Sequence, residues 1–256
     1  MTPSLSHTLP EGLHLYAVAR PALLERGNHP VVELDPTHTS SVPFLRRLER
    51  LDRLIYSPSG METPRWAFYD CAELPGTVFG LCASADRVPE EARELLGGEE
   101  SQDLLPLNAV VAIPTVEAGH WLVYVVCGLD EVVETGFSDL RAETLHAALE
   151  WLGALEVSAV CQWAGGRIAL HLGGAAPELR AAWMPSHDRP ATCCLHYALC
   201  PASSPTLSPA RWVSSRDEES LRDLQSRIEA GRRYFVVDGR TDGPDPEWAI
   251  CEGTAP

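Results

Sequence analysis

The sequence predicts a soluble, folded protein that contains both helices and strands, in the broad α/β (α+β) class. Three observations support this. Segments rich in Val, Ile and aromatic residues alternate along the 256-residue chain with segments that repeat apolar residues at helical spacing. Hydrophobic residues make up 45% of the chain and mean hydropathy is −0.08, values typical of an ordinary globular protein. The longest apolar run, residues 121–127, is far shorter than the ~20 residues needed to cross a bilayer.

The first hundred residues contain signals for three strands and three helices. Phe44, Leu48 and Leu51 recur at helical spacing after a candidate N-cap at Ser40 or Ser41, which indicates a helix. Pro75-Gly76 is a turn signal between two strand-like runs. Residues 28–41 are predicted to form a polar loop. Predicted strands are residues 12–19, 65–70 and 77–82, and predicted helices are residues 21–26, 43–54 and 89–96.

The remainder of the chain contains the strongest strand signals, at residues 107–116 and 120–129. Further strands are predicted at residues 157–163, 179–183, 192–199 and 232–237, and helices at residues 140–152, 167–172 and 217–230. Residues 201–209 are rich in Pro and Ser and are typical of a connection. We therefore expect one α/β domain over residues 1–200, followed by a helix-strand extension over residues 201–256.

Charge and composition exclude several functions. The formal net charge is −16, so a nucleic-acid backbone would be repelled, and we expect no nucleic-acid partner. The sequence contains no lysine, so all 20 Lys and Arg residues are arginine. This excludes Schiff-base chemistry at a lysine, the phosphate-binding lysine of the P-loop and the strand lysine of protein kinases.

The cysteines and the N-terminus indicate a cytoplasmic protein. The first ten residues lack the basic cluster and the hydrophobic stretch of a secretory signal, so we expect neither export nor membrane insertion. The eight cysteines are scattered, and several lie in apolar runs. We expect reduced, buried thiols rather than disulfides. Cys193, Cys194, His196 and Cys200 lack the paired knuckles of a structural zinc site, which favours core packing.

Two segments contain candidate chemical groups. His29, Glu33, Asp35 and His38 lie within ten residues and offer nitrogen and oxygen ligands for a metal, although a polar turn organised by Asp35-Pro36 explains the same residues. Asp70 ends a predicted strand, where a carboxylate can be presented as a base, or it lies on the rim of a turn. The hydrolase elbow G-x-S-x-G and the dinucleotide motif G-x-G-x-x-G are both absent.

Residues 107–199 resemble the second half of a GNAT N-acyltransferase. The predicted order is strand, helix, strand, short helix and two antiparallel strands, and residues 167–174, RIALHLGG, are similar to that family's A-x-x-L-Y-x-x-x-G-F helix, with His171 where the family often has tyrosine. The resemblance covers about a third of the chain. It implies a central mixed, largely antiparallel sheet flanked by helices.

The resemblance also implies an acyl-CoA co-substrate and roles for particular residues. Pantetheine would lie in a splay between the two central strands, beside Val126 and Cys127, and the pyrophosphate would lie at the start of the following helix, near Gly136 and Arg141. His171 would protonate the departing CoA thiolate, while a carboxylate such as Asp70, or water, takes the proton of the amine. A packed, hydrogen-bonded core histidine is the alternative for His171.

The sequence departs from the family at the phosphate loop. Residues 131–136, EVVETG, replace the family's Q/R-x-x-G-x-G/A pattern. Two carboxylates beside a pyrophosphate are electrostatically unfavourable.

Three hypotheses follow. The first is an acyl-CoA-dependent N-acyltransferase, or a degenerate relative that has lost the cofactor. The second is a non-catalytic module that binds a small molecule or a protein, with Trp66, Trp121, Trp163 and Trp183 as anchors. The third is a metal-dependent enzyme that uses His29, Asp35 and His38.

Overall fold

The computed structural model describes residues 9, 12–18, 31–64, 68, 77–134, 140–172, 176–186, 190–201 and 205–254. The strands of this part are β1 Leu13–Val18, β2 Val31–Leu34, β3 Thr77–Ser84, β4 Leu104–Pro106, β5 Asn108–Pro114, β6 His120–Gly128, β7 Glu156–Gln162, β8 Glu178–Trp183, β9 Thr192–Ala198, β10 Thr206–Leu207, β11 Arg211–Ser214, β12 Arg233–Arg240 and β13 Glu247–Thr254. Its α-helices are α1 Val42–Tyr56, α2 Glu90–Leu96, α3 Leu140–Trp151 and α4 Glu218–Glu229, and a 3₁₀ helix spans Arg167–His171.

The chain forms two compact units. The first consists of Met1–Pro114 and Tyr124–Gly153, and the second of Thr115–Val123 and Ala154–Pro256. Strand β6 therefore contributes its first four residues to the second unit and its last five to the first. Among the described residues, no helix is long and apolar enough to span a membrane.

The first unit contains a mixed sheet. Strand β1 pairs in parallel with β2 on one side and antiparallel with β3 on the other. Strand β3 also pairs antiparallel with β4 and with β5. Nearly every residue of β1 and β5 is buried, because helices pack on this sheet.

Helices α1 and α3 pack on the strands of the first unit. Helix α1 begins with a proline in its first turn, where the missing N–H costs nothing, and it buries a stripe that includes Leu45, Leu48 and Leu51. The ring of Phe44 packs edge-on against Tyr16 of β1, with centroids 4.8 Å apart. Helix α3 buries Leu145 and packs against β3 and β5.

A buried hydrogen-bond network, which we call the Asn108 network, fixes α3 to the strands of the first unit. The side-chain oxygen of Asn108 accepts from the backbone N–H of Leu81 at 2.7 Å, and its amide nitrogen donates to the Thr144 hydroxyl at 3.1 Å. That hydroxyl donates to the carbonyl of Leu140, the first residue of α3, at 2.6 Å. The Tyr16 hydroxyl donates to the backbone carbonyl of Asn108 at 2.7 Å. The side chain and backbone of one residue thus link three strands and a helix.

The second unit has a sheet with the strand order β10-β13-β12-β8-β9-β7, followed by the first residues of β6. All of its described pairs are antiparallel except β6 with β7, which run parallel with His120 opposite Glu156 and Val123 opposite Ala159. Strand β11 pairs with β13. Parallel neighbours need a crossover connection, and α3 lies between β6 and β7 along the chain.

The core of the second unit lies on one side of its sheet. Strands β7 and β9 alternate buried and accessible residues, so Leu195 and Tyr197 belong to the covered face while His196 does not. Trp163 and Trp248 are fully buried, and the Trp248 indole N–H donates to the Trp163 carbonyl at 2.9 Å. Both indole rings therefore belong to this core.

The structure confirms the mixed, largely antiparallel sheet that the sequence predicts. It also confirms the main predicted helices and, for residues 107–199, the predicted element order. The predicted helix at residues 21–26 lies outside the described residues.

Three expectations need correction. Val31–Leu34 is a strand rather than irregular, because its backbone pairs with β1. Phe68, in the predicted strand 65–70, is helical. Strand β13 was not predicted, since its apolar run 248–251 is short. The division into residues 1–200 and 201–256 stays a prediction.

We expect Asn108→Ala to lower the free energy of unfolding of the first unit by about 2–3 kcal/mol, because it leaves the Leu81 N–H and one hydrogen-bonding site of Thr144 unpaired in the core. Urea unfolding followed by circular dichroism measures this. Gln102→Ala, at an exposed position, is the control and should change the midpoint little. Equal effects of the two substitutions would contradict the role of the Asn108 network.

Candidate functional site

The residues expected at the acyl-donor site lie at the carboxyl end of β6 and the start of α3, both in the first unit. Val126 and Cys127 are buried residues of β6, and Cys127 is 1% exposed. Arg141 is the second residue of α3. Gly136 lies outside the described residues. The described members of this set therefore belong to one strand end and one helix start.

Arg141 is paired with two carboxylates. Its Nε lies 3.1 Å from Asp130 Oδ2, and its Nη1 lies 3.1 Å from Glu131 Oε1. The backbone N–H of Gly128 also donates to Glu131 at 3.1 Å. Burial raises the pKa of Asp130, and the positive charge of Arg141 opposes this shift only in part. With both carboxylates ionised, this group of three side chains carries a net charge of −1.

Gly128 allows strand β6 to end directly against Arg141. A Cβ atom at this position would lie 2.7 Å from Arg141 Cδ, which is closer than carbon atoms can approach. The same Cβ atom would contact the Asp130 carboxylate, so a larger residue would require the Asp130 and Arg141 side chains to shift. Glycine at position 128 therefore leaves room for both side chains at the end of β6.

His171, expected to protonate the CoA thiolate, is buried in the second unit. It ends the 3₁₀ helix and is 3% exposed. Its Nδ1 lies 2.9 Å from the hydroxyl of Tyr197 on β9, and the two rings meet edge to face. Burial raises the pKa of Tyr197 well above its ordinary value, so the phenol keeps its proton at neutral pH.

The other expected groups are dispersed or lie outside the described residues. Asp70 and His29 are among the residues that the structure does not describe. The carboxylate of Asp35 accepts from the backbone and the hydroxyl of Thr37, which is a local turn. His38 caps the next turn, with its Nδ1 2.7 Å from the Ser40 hydroxyl. Both side chains thus bond within their own loop.

The cysteines that the structure describes are free thiols. Burial raises the pKa of Cys161 to about 12 and raises that of Cys193 well above its usual value, so both remain protonated. They behave as small apolar residues of the core, as the sequence predicts. Within the described chain, Cys193, Cys194, His196 and Cys200 form no metal-holding group.

Sequence reasoning missed a group of polar side chains on the accessible face of the second unit's sheet, which we call the strand cluster. Its members are Glu117, His120, Glu156, Ser158 and His196. The Ser158 hydroxyl lies 2.9 Å from His120 Nε2 and 3.4 Å from His196 Nδ1, and the two imidazole rings are 5.3 Å apart. Each histidine also faces a carboxylate, Glu117 at 3.5 Å and Glu156 at 3.7 Å respectively.

The signal for the strand cluster is present in the sequence but depends on pairing. Glu156 and Ser158 alternate with apolar residues along β7, which places them on one face. His120 opens β6 opposite Glu156, and His196 lies opposite Ser158 on β9. The residues are distant along the chain, so only the strand register brings them together.

Burial and neighbouring charges shift the pKa of His196 in the strand cluster. Burial lowers the pKa of His196, the positive charge of Arg180 lowers it further, and Glu156 opposes these effects in part. The imidazole is therefore neutral at pH 7. Glu178, opposite His196 on β8, is almost buried and accepts two hydrogen bonds from Arg233, at 2.8 and 2.9 Å.

Comparisons with known proteins return acetyltransferases. An aminoglycoside 6'-acetyltransferase type Ii matches with a TM-score of 0.44 and 8% identity, over 67% of this chain and 98% of its own. A NatC complex bound to Gag peptide and CoA matches with a TM-score of 0.44 and 9% identity, over 65% and 97%. A protein from Desulfovibrio desulfuricans assigned to the GNAT family matches with a TM-score of 0.38 and 12% identity, over 59% and 91%.

All three identities are below 15% and all three TM-scores are below 0.5. No family model matches the sequence, and no curated protein matches it significantly.

We expect the ion pair of Glu178 to stabilise the second unit in a pH-dependent way. Burial alone would raise the pKa of Glu178, but the Arg233 hydrogen bonds and the charge of Arg180 outweigh it and hold the pKa below the ordinary 4.5. A depressed folded-state pKa stabilises the protein above pH 4.5, and this stabilisation is lost as pH falls through the lower, folded value.

Glu178→Gln should therefore lower the free energy of unfolding by about 1.5–3 kcal/mol at pH 7 and by much less near pH 3. Urea unfolding at the two pH values measures the difference. Glu219→Gln, at an exposed position of α4, is the matched control. An effect of Glu178→Gln that is the same at both pH values would argue against this pair as its source.

Proposed function

We propose that the chain is an acyl-CoA-dependent N-acyltransferase, or a relative of one with weakened cofactor binding. The observation that supports this most directly is the approach of Arg141, in the first turn of α3, to Gly128 at the carboxyl end of β6. The next strand, β7, runs parallel to β6. Ligands in such strand-helix-strand units bind beyond the carboxyl ends of the strands, and the helix N-terminus favours phosphate.

Arg141 is the residue we assign to the pyrophosphate of CoA. A guanidinium can pair bidentately with phosphate oxygens, and the N–H groups at the start of α3, next to Gly136 in sequence, would add to the attraction. Val126 and Cys127 would border the pantetheine, as the family resemblance implies. Because Asp130 and Glu131 already pair with Arg141, the pyrophosphate must compete with them. We therefore infer weak binding of CoA.

The reaction that we propose is a direct transfer. The substrate amine attacks the thioester carbonyl, a C–N bond forms, the C–S bond breaks, and CoA leaves as a thiolate that takes one proton while the amine loses one. His171 is the proposed proton donor to the thiolate. Asp70, or water, is the proposed acceptor of the amine proton. The substrate class is a small primary amine or a peptide amino terminus.

A non-catalytic binding module is the second candidate. Trp183 and Trp212 are 45% and 39% exposed, and exposed tryptophans are common anchors of protein interfaces. Trp163, which was expected to be such an anchor, is fully buried and packs in the core. Trp66 lies outside the described residues. Absence of any CoA binding would favour this candidate over acyl transfer.

Calorimetric titration with acetyl-CoA and longer acyl-CoAs should give a dissociation constant in the range of 10–1,000 μM, set by the charge competition at Arg141. Glu131→Gln should tighten binding about tenfold, since it removes one of the competing charges. Arg141→Gln should weaken binding about tenfold or more. Arg222→Gln, on an exposed face of α4, is the control. No heat at millimolar acyl-CoA, or Arg141→Gln binding like the wild type, would contradict the assignment.

His171→Gln tests the proposed proton donor. With an amine that the protein acylates, kcat should fall by about 10²–10⁴-fold while KM for acyl-CoA stays within a few-fold, and the acidic limb of the pH profile should change. Tyr197→Phe removes the neighbouring hydroxyl but keeps the imidazole, and it should retain activity within about tenfold. A loss of thermal stability in both variants with unchanged kcat would identify His171 as a packing residue instead.

A further inference from the structure

We propose that Glu117, His120, Glu156 and His196 form a binding site for one divalent transition-metal ion, best suited to Zn²⁺, on the second unit. The site does not rest on acyl transfer. One ligand atom from each of Glu117, His120 and Glu156 lies within 4.8 Å of the others. His196 is the fourth candidate, because its Nε2 lies 3.7 Å from a Glu156 oxygen.

Two of the separations are close to those expected around a tetrahedral ion. Zinc binds imidazole nitrogen and carboxylate oxygen at about 2.0–2.2 Å, which places neighbouring ligand atoms about 3.4 Å apart. His120 Nδ1 and Glu117 Oε2 are 3.5 Å apart, and His196 Nε2 and Glu156 Oε2 are 3.7 Å apart. Ligand atoms of Glu117, His120 and Glu156 lie within 4.8 Å of one another, and side-chain rotations would have to bring His196 to the same ion. Two imidazoles with two carboxylates are a donor set typical of zinc.

Ser158 orients both imidazoles toward the ion. Its hydroxyl oxygen lies beside His120 Nε2 and His196 Nδ1, at 2.9 and 3.4 Å, so the opposite nitrogen of each ring is directed toward a carboxylate. In the metal-bound state both rings donate an N–H to this one oxygen, which has two lone pairs to accept them. Hydrogen bonding of this kind, behind the ligands, fixes tautomer and ring orientation in metal sites.

The backbone positions the ligands before any ion binds. The turn that carries Glu117 passes through Gly119, whose φ of +79° lies in the left-handed region that glycine tolerates. The Gly119 carbonyl accepts from the backbone N–H groups of Leu155 and Glu156, at 2.8 and 3.1 Å. This ties the turn to the start of β7. Strand pairing then sets His120 opposite Glu156.

Charge also favours a cation here. With neutral imidazoles, the four ligands carry two negative charges, which a divalent ion neutralises. The carboxylates are accessible, since the side chains of Glu117 and Glu156 are 73% and 48% exposed, so an ion can enter directly from solvent. The histidines are more enclosed, at 17% and 21%. A bound ion would cross-link the turn that carries Glu117 to strand β7 through Glu156 and to strand β9 through His196.

The test is metal binding by untagged full-length protein that has been stripped with a chelator, measured without CoA. Zinc titration should give one ion per chain at the site, and saturating Zn²⁺ should raise the thermal midpoint by ~5 °C. A Co²⁺ spectrum should show a tetrahedral site without a thiolate charge-transfer band, which distinguishes it from binding at cysteines. Binding at a thiolate only, or no binding at 1 mM Zn²⁺, would overturn the proposal.

Substitutions assign the ligands. His120→Gln and His196→Gln should each weaken zinc binding at least 100-fold, and Ser158→Ala should weaken it about 10–100-fold through the lost orientation of the rings. His146→Gln in α3 and Cys200→Ser are the controls and should bind like the wild type. Circular dichroism establishes that each variant is folded. Wild-type affinity in both folded histidine variants would refute the site, whatever the outcome of the acyl-CoA titration.

Discussion

The Asn108 side chain is the constraint on which the first unit depends. It is buried, it satisfies a backbone N–H of β3 and the hydroxyl of Thr144, and through Thr144 it reaches the first residue of α3. A buried amide of this kind is favourable only when its partners are all in place, so it selects one position of the helix over others of equal apolar burial. The placement of Arg141, one residue beyond Leu140, follows from that selection.

The sequence predicts local structure well where a pattern is continuous over a whole element. The stripe of α1 and the aliphatic runs of β5 and β6 are found almost at their expected bounds. Prediction fails for β2, whose four residues are too few to carry a periodicity and which exists because β1 offers it a free edge. Residues of β13 pair with three different strands, and no local signal encodes such partners.

The candidate sites also contain features that no local sequence pattern encodes. The family resemblance predicts Arg141 near a helix start, and the structure shows that its positive charge is already paired with Asp130 and Glu131. His120 and His196 lie 76 positions apart in the sequence, and their proximity is a property of strand register. By contrast, the sequence placed His171 within a helical turn correctly but could not show that Tyr197 would enclose it.

The position of β13 near one end of its sheet has a consequence for biosynthesis. Strand β13 lies between β12 and the pair β10 and β11, and it begins only at Glu247. During translation all segments of the first unit, which end at Gly153, leave the ribosome about a hundred residues earlier. The second unit must meanwhile keep the unpaired edge of β12 from associating with other chains. The edge of β12 is thus one place where a nascent chain can associate with other chains until β13 is made.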